Sequence, residues 1–280
     1  MSDFEQPYAV LDSDFIIKSA TVKTDEISLF DVIDLLKDRH CKCCHEQIVK
    51  EVSRHSDFAL AVFSEKISRN EIRVFTDKEI ISGIKTSYNH SNDMLSCRFY
   101  LNMLRKICNT FAPITFKEYI SELEQKINDC STVDSFLMLL NAEEAKLGEK
   151  KGLGEVKDTL LIKYINMCTK ESVYKFCSDD QAARSSIIAY SMNNGLNIRC
   201  YPPFSLFYLA HKQSLLSSQV LDKLIMEWKS DPLFGNQNIE IRASQKDINK
   251  KEKISPDGLY NLIVNDKLLL ASDGFLVRKD

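Results

Sequence analysis

Glycine and proline are scarce in this chain, at 8 and 6 of 280 residues. That shortage excludes Gly/Pro-rich linkers and low-complexity tracts, and it argues against an all-β sandwich with its many turns. No run approaches the roughly 18 apolar residues that span a bilayer, so no membrane association is expected. The opening Met1-Ser2-Asp3-Phe4-Glu5 is acidic with no apolar core behind it, which predicts no secretory peptide. A disulfide framework is missing as well. The 9 cysteines are odd in number and follow no framework spacing, so a reducing cytoplasm is the expected setting. Gly152-Leu153-Gly154 lacks the third Gly and the preceding strand of a phosphate-cradling loop, and there is no Gly-x-Ser-x-Gly elbow. No internal repeat is evident.

The remaining composition is ordinary for a globular chain, with 44% hydrophobic and 28% charged residues. Its length suits one large domain, or a domain with an appendage. A net charge of −3 gives no global attraction to nucleic acid, so a polyanionic substrate would need a local basic patch. One candidate is Arg242, Lys246, Lys250, Lys251 and Lys253, opposed by Asp247 and Glu252. A solvated charged loop explains that stretch equally well.

Apolar patterning predicts a strand at 8–11 and a helix from Ser28 to Lys37, with Ser28 as N-cap and Asp31 at the capping-box position. A further helix is expected over 46–54, a short apolar run at 58–63 and a strand at 72–76. Residues 88–147 carry three successive stretches of helical spacing with no strand between them, and read as a helical insertion or cap. A helix at 155–167 then leads into a strand at 173–177. Asp180 can cap a helix from 181 to 192, which ends at Asn193-Asn194-Gly195. A strand at 196–200 and helical residues at 204–228 follow. In the tail, 259–264 and 267–270 flank Asn265-Asp266 in a hairpin-like arrangement, and 275–277 reads as one more strand. The division expected is a first unit of about 1–230, holding the insertion, and a C-terminal extension of 231–280.

The two acidic stretches stand out. Tyr8-Ala9-Val10-Leu11-Asp12-Ser13-Asp14 and Val173-Tyr174-Lys175-Phe176-Cys177-Ser178-Asp179-Asp180 each run a strand straight into carboxylates. In a parallel α/β sheet ligands bind outside the carboxyl ends of the strands. Neighbouring strands would therefore bring Asp12, Asp14, Asp179 and Asp180 together, and a bound cation or a shared proton resolves the repulsion. Glu51, Glu155 and Asp158 join the candidates. Glu155 and Asp158 share a helix face at i and i+3, although acidic residues also favour a first helical turn for its dipole alone. Hard divalent cations such as Mg²⁺ or Mn²⁺ prefer this all-oxygen ligation, which suits phosphodiester hydrolysis better than acyl transfer.

In motif order the chain resembles the PIN-domain nucleases. The strand ending in Asp12 and Asp14, the helical Glu51 in Ile48-Val49-Lys50-Glu51-Val52, Asp158 in Asp158-Thr159-Leu160-Leu161-Ile162, and Ser178-Asp179-Asp180-Gln181 match that order over about residues 7–210. Gly154-Glu155-Val156 is similar to the Gly-Glu element of one branch. The resemblance implies a PIN-like three-layer α/β fold with a central parallel sheet. It also implies a Mg²⁺- or Mn²⁺-dependent endoribonuclease with Asp12, Glu51, Asp158 and Asp180 as catalytic residues. Asp14, Glu155 and Asp179 would join those four as metal ligands, with RNA as substrate. The long insertion and the tail depart from the family pattern. An inhibitory protein partner and a homo-oligomer are both left open.

Two rival readings stand beside it. Asp12-Ser13-Asp14 also resembles the first motif of haloacid dehalogenase-type phosphatases, with Asp12 as nucleophile and Asp14 as general acid. Ile16 stands where that family has Thr or Val, and no lysine motif follows. The other rival is a degenerate PIN-like module that binds RNA or a protein without cleaving. Zinc is a lesser expectation at His40-Cys41-Lys42-Cys43-Cys44-His45, because these ligand types crowd together without a distant second pair. His211 reads as a helix-surface residue.

Overall fold

The computed structural model describes residues 8–36, 41–111, 113–148, 152–169, 173–247 and 250–279. Among them, five parallel strands form the main sheet: β1 (Tyr8–Leu11), β2 (Cys41–His45), β3 (Ile72–Phe75), β4 (Val173–Cys177) and β5 (Asn197–Tyr201). Their order is β3-β2-β1-β4-β5, which places β1 between β2 and β4. Successive side chains of β1 point to opposite faces, as strand geometry requires. Tyr8 and Val10 enter one apolar core, and Ala9 and Leu11 enter the other. Burial on both faces explains why β1 is an unbroken apolar run. Helices cover both faces, so the chain is α/β with a central parallel sheet.

Strand order reverses between β1 and β4. A reversal of this kind opens a crevice at the carboxyl ends of the two strands on either side of it. The acidic sequences at residues 12–14 and 178–180 follow those two ends.

β2 was not expected. Its residues read as a crowd of metal ligands, yet Cys43 packs into one core and Cys44 into the other. Side chains on opposite faces of a sheet cannot share one zinc ion, and buried thiols act here as small hydrophobes. Burial pushes both thiols well above the usual range. His40 lies outside the described residues, as do Lys37 at the end of the first expected helix and Met1–Glu5.

The segment 88–147 forms helices Asp93–Phe111, Pro113–Lys126 and Val133–Leu147 and, among the described residues, adds no strand to the sheet. Tyr100, Leu123 and Phe136 from these helices pack with Val156, Leu160 and Leu161 of the helix Leu153–Thr169. The segment is therefore a layer of the core. The run at 58–63 lies inside the helix Asp57–Ser68, and the helical stretch 204–228 is two helices, Pro203–Lys212 and Ser218–Ser230, separated by a turn in which Ser214 takes φ +58°.

The tail corrects one expectation. Residues 259–264 belong to the helix Pro256–Val264, and Asn265 is its C-cap rather than a hairpin turn. Ser255 caps that helix with Pro256 at its first position, a start signal that outweighs the apolar run behind it. A second sheet contains β6 (Ile239–Arg242), β7 (Lys251–Ile254), β8 (Leu268–Leu270) and β9 (Leu276–Arg278), ordered β7-β6-β9-β8. The hairpin is β8–β9. Its turn carries Gly274 at φ +93°, where a side chain would run into the Cys200 carbonyl, and the Cys200 N–H donates to the Asp273 carbonyl at 3.1 Å. Ile241, Leu268 and Leu276 join the core that holds Ala9 and Leu11. Of the expected basic patch, Arg242 pairs with Asp273 and Lys251 pairs with Glu240 at 2.7 Å.

Candidate metal centre at the strand ends

Asp12 directly follows β1. Its N–H donates to the Cys177 carbonyl at 3.0 Å, which locks the ends of β1 and β4 together. The side chain is 5% exposed and accepts from the Ser13 N–H and from Ser178 Oγ, each at 2.7 Å. It thereby caps the helix Ser13–Thr21.

Asp158 sits on the helix Leu153–Thr169 with no exposed surface. Its Oδ1 faces the His45 N–H at 3.4 Å, a long contact, and its Oδ2 is buried without a hydrogen-bond partner. A buried carboxylate oxygen left alone is costly, so this atom calls for a partner that the described residues do not provide.

Glu51 stands on the helix Glu46–His55, where Gln47 Nε2 donates to it at 3.3 Å. Gly154 lets the start of the Leu153–Thr169 helix come against that carboxylate, because an added Cβ would lie 2.5 Å from Glu51 Oε2. Asp180 caps the helix Gln181–Asn193 and accepts from Ala182 N at 2.6 Å and Ala183 N at 3.1 Å. Glu51, Glu155 and Asp180 line one cavity of about 560 Å³ with Ser13, Gln47 and Arg54. Gly148, just past the helical segment, also reaches this cavity.

Electrostatics joins the buried residues to those on the wall. Burial first, then the charges of Asp14 and Glu155, hold the Asp12 carboxyl well above the usual range. Asp158 is held up in the same way by burial and by Asp12, Glu51 and Glu155. Burial raises Glu155, with Glu51 and Asp180 adding to it. Among the described residues, Asp12, Glu51, Glu155, Asp158 and Asp180 form no ion pair with a lysine, arginine or histidine. The helix N-termini at Asp12, His45, Leu153 and Asp180 point their positive ends toward the group.

Asp14 and Asp179 differ. Lys18 bonds to Asp179 and lies 3.9 Å from Asp14, while the Asp179 N–H donates to Asp14 Oδ1 at 3.2 Å. Burial still pushes Asp14 up against Lys18, with Asp179 contributing. The sequence-predicted carboxylates thus separate into a group with a resident cation and a group without one. Lys18 went unread in the sequence, although it stands at i+4 from Asp14. Gln47 was readable in the same way, one turn before Glu51.

Metal-ligand side chains with donor atoms all within 4.8 Å of one another occur at His45, Glu46 and Asp77 among the described residues. That triad is otherwise engaged. Asp77 accepts from Lys157 Nζ at 2.8 Å, from the Tyr100 hydroxyl, and from His45 Nε2 at 3.0 Å. His45 Nδ1 accepts the Gln47 N–H at 3.1 Å, so the ring proton sits on Nε2 and points at Asp77. Burial alone would raise Asp77, but Lys157 and then His45 hold it far below the usual range. A cation there would have to displace an ammonium, so the triad is better explained as a structural ion network. The main carboxylate group is more spread out, as mutually repelling charges would be.

Two predictions arise here. Groups that bind protons more tightly folded than unfolded stabilise the fold at low pH and lose that contribution as pH rises. Asp12, Asp14, Glu155 and Asp158 all have raised folded values. In chelator, stability should therefore decline as pH rises from the ordinary carboxylate range, about 4, toward neutrality. Urea unfolding across that interval measures it, and Mn²⁺ should flatten the slope. Stability that rises toward neutral pH in chelator would contradict the repulsion described above. The second prediction is that Gly154→Ala pushes the flexible Glu51 carboxylate aside. Stability should hold or rise by up to about 1 kcal/mol, because alanine is the better helix residue, while Mn²⁺ affinity falls. Unfolding and metal titration of the same variant separate the two effects.

No protein-family model matches the chain, and no curated protein or solved structure is significantly similar to it.

Proposed function

We propose that this chain is a PIN-like, metal-dependent nuclease that hydrolyses RNA phosphodiester bonds with Mg²⁺ or Mn²⁺. The single observation that carries the reading is Asp158, fully buried with one orphaned oxygen, its carboxyl held up first by that burial and then by the charges of Asp12, Glu51 and Glu155. The donor set is all oxygen and forms no ion pair with a lysine, arginine or histidine among the described residues, which fits a hard divalent cation. Asp12, Glu51 and Asp158 would hold the ion, with Glu155 and Asp180 on the open wall. Asp14 and Asp179 stand beside Lys18, outside this set. The bound ion would supply Lewis-acid polarisation of the phosphoryl oxygen and a hydroxide nucleophile at neutral pH. The converging helix N-termini favour the phosphate anion in the same crevice.

The phosphatase alternative asks Asp12 to attack substrate. Asp12 is 5% exposed, and both its oxygens accept hydrogen bonds, so it is poorly placed for that role. The test of the nuclease reading is a Mn²⁺ titration of thermal stability beside cleavage of a single-stranded RNA and a DNA of the same sequence. Wild type at 100 times its Kd should gain about 2.7 kcal/mol, and Asp158→Asn should lose most of that gain. RNA cleavage should stop in chelator. No metal-induced stabilisation would remove the metal centre. Stabilisation with RNA binding but no cleavage would favour the non-catalytic module.

A further inference from the structure

A second cavity, of about 260 Å³, lies on the other side of the end of β4. Asp179 lines it, whereas its chain neighbour Asp180 lines the carboxylate cavity, so the two openings flank a single peptide. The C-terminal sheet supplies one wall, through Asn238, Glu240 and Lys253. We propose that this cavity binds one base of the RNA strand whose phosphate lies at the carboxylates. The inference rests on the nuclease reading and deepens it by assigning the strand a second anchoring point.

The floor is aromatic and carries buried donors. Phe204, Trp228 and Phe275 are each at most 7% exposed. Arg184 is 5% exposed, and its guanidinium lies over the Phe275 ring at 5.2 Å while Nη1 donates to the Ser178 carbonyl at 2.8 Å. The Arg184 Nε–H and the Trp228 Nε1–H are both buried without a protein partner. Two orphaned donors around one cavity call for an acceptor that the protein does not provide. At the rim, the side chains of Gln181, Asn238 and Lys253 make no hydrogen bond or ion pair among the described residues.

This lining selects the ligand class. Asp179 and Glu240, each paired with a lysine, stand beside Arg184 and Lys253, so the lining mixes both signs of charge and is not a uniformly basic phosphate site. A neutral heterocycle with donors and acceptors on its edge suits such mixed polarity, and its flat face suits aromatic and guanidinium planes. The volume falls just below the usual range for a drug-sized ligand, and a base with part of its sugar is smaller than that. Lys18 backs the wall of this cavity: its ammonium lies 5.4 Å from the Trp228 ring and bonds to Asp179.

The chain has a single tryptophan, so intrinsic fluorescence reports on this cavity without any need for catalysis. The experiment titrates metal-free protein in chelator with each nucleoside 5′-monophosphate, with ribose 5-phosphate, and with a short oligoribonucleotide, correcting for nucleotide absorbance. At least one mononucleotide should give a saturable change, ribose 5-phosphate none, and the oligoribonucleotide should bind more tightly than the mononucleotide. Asn238→Ala combined with Lys253→Ala, both at the exposed rim, should weaken binding by about tenfold or more, the scale of one base contact. An equal response to ribose 5-phosphate would make the cavity a phosphate site and overturn the proposal. So would an oligoribonucleotide that binds no better than the mononucleotide, which would indicate a free-nucleotide site. The absence of any saturable change overturns it as well, even if metal-dependent cleavage is found. Base binding without cleavage in any variant would instead retire the nuclease reading.

Discussion

Asp12→Asn should leave the chain folded and lower Mn²⁺-dependent RNA cleavage by roughly 10³-fold or more, the scale of losing several kcal/mol of metal-derived stabilisation. The substitution keeps the shape of the side chain. Its amide oxygen can accept from the Ser13 N–H, and its NH₂ can donate to Ser178 Oγ, because a hydroxyl both donates and accepts. What disappears is one negative charge next to Asp14, Glu155 and Asp158. Metal-free stability should therefore hold or rise, while metal affinity falls. Cleavage rates, a Mn²⁺ titration and urea unfolding in chelator check the three parts separately. Equal cleavage in both proteins, or cleavage indifferent to chelator, would remove the nuclease reading. A variant that unfolds without metal would show that the Asp12 charge stabilises the fold, contrary to the repulsion argued above.

Lys157→Met should destabilise the fold by about 3–5 kcal/mol, the cost of leaving buried charges without their partner. Lys157 has no exposed surface and bonds to Asp77 at 2.8 Å, to Glu144 at 2.6 Å and to the Tyr100 hydroxyl at 3.0 Å. Tyr119 donates to Glu144 at 3.0 Å. The network therefore joins all three helices of the 93–147 segment to the helix that carries Asp158. Removing the ammonium strands two buried carboxylates in the core. A fall in Tm of about 10 °C is expected, at roughly 2–4 °C per kcal/mol for a chain of this size. Adding Asp77→Asn and Glu144→Gln to Lys157→Met should recover much of the loss, because a neutral replacement of a whole buried network is far less costly than its partial removal. A drop of less than about 1 kcal/mol for the single variant would show that the carboxyls take up protons or water at little cost.

The part of the site that was legible from sequence lies where burial leaves a plain mark. β1 is a continuous apolar run and β4 is interrupted only by Lys175, and carboxylates close behind such runs need compensation, so Asp12 and Asp180 stand out. The Ser28 capping box was readable too, and the Ser28 N–H does donate to Asp31 Oδ2 at 2.8 Å. β2 was obscured because Cys41-Lys42-Cys43-Cys44-His45 looks polar and ligand-like, although Lys42 is buried against Asp34 at 2.5 Å and the cysteines fill two cores. The helix Asp77–Ser87 carries a start signal of its own: Thr76 with Glu79 three residues on, whose carboxylate accepts the Thr76 N–H at 2.7 Å. The Lys157 network could not have been read at all. It unites residues from five separate helices and from β2, and no local pattern encodes such a meeting.

The turn at Gly274 also lies against one edge of the main sheet. β5 is an edge of the main sheet, and an unprotected edge offers backbone donors and acceptors to any passing strand. The Cys200 N–H is already satisfied by the Asp273 carbonyl, and the Gly274 carbonyl accepts from Ser205 Oγ at 2.7 Å. Residues from near the end of the chain thus cover an edge formed some seventy positions earlier, and the bare backbone of Gly274 is what lets them lie close enough. A chain ending before residue 273 would present that edge open, and its natural fate would be strand-to-strand pairing between molecules.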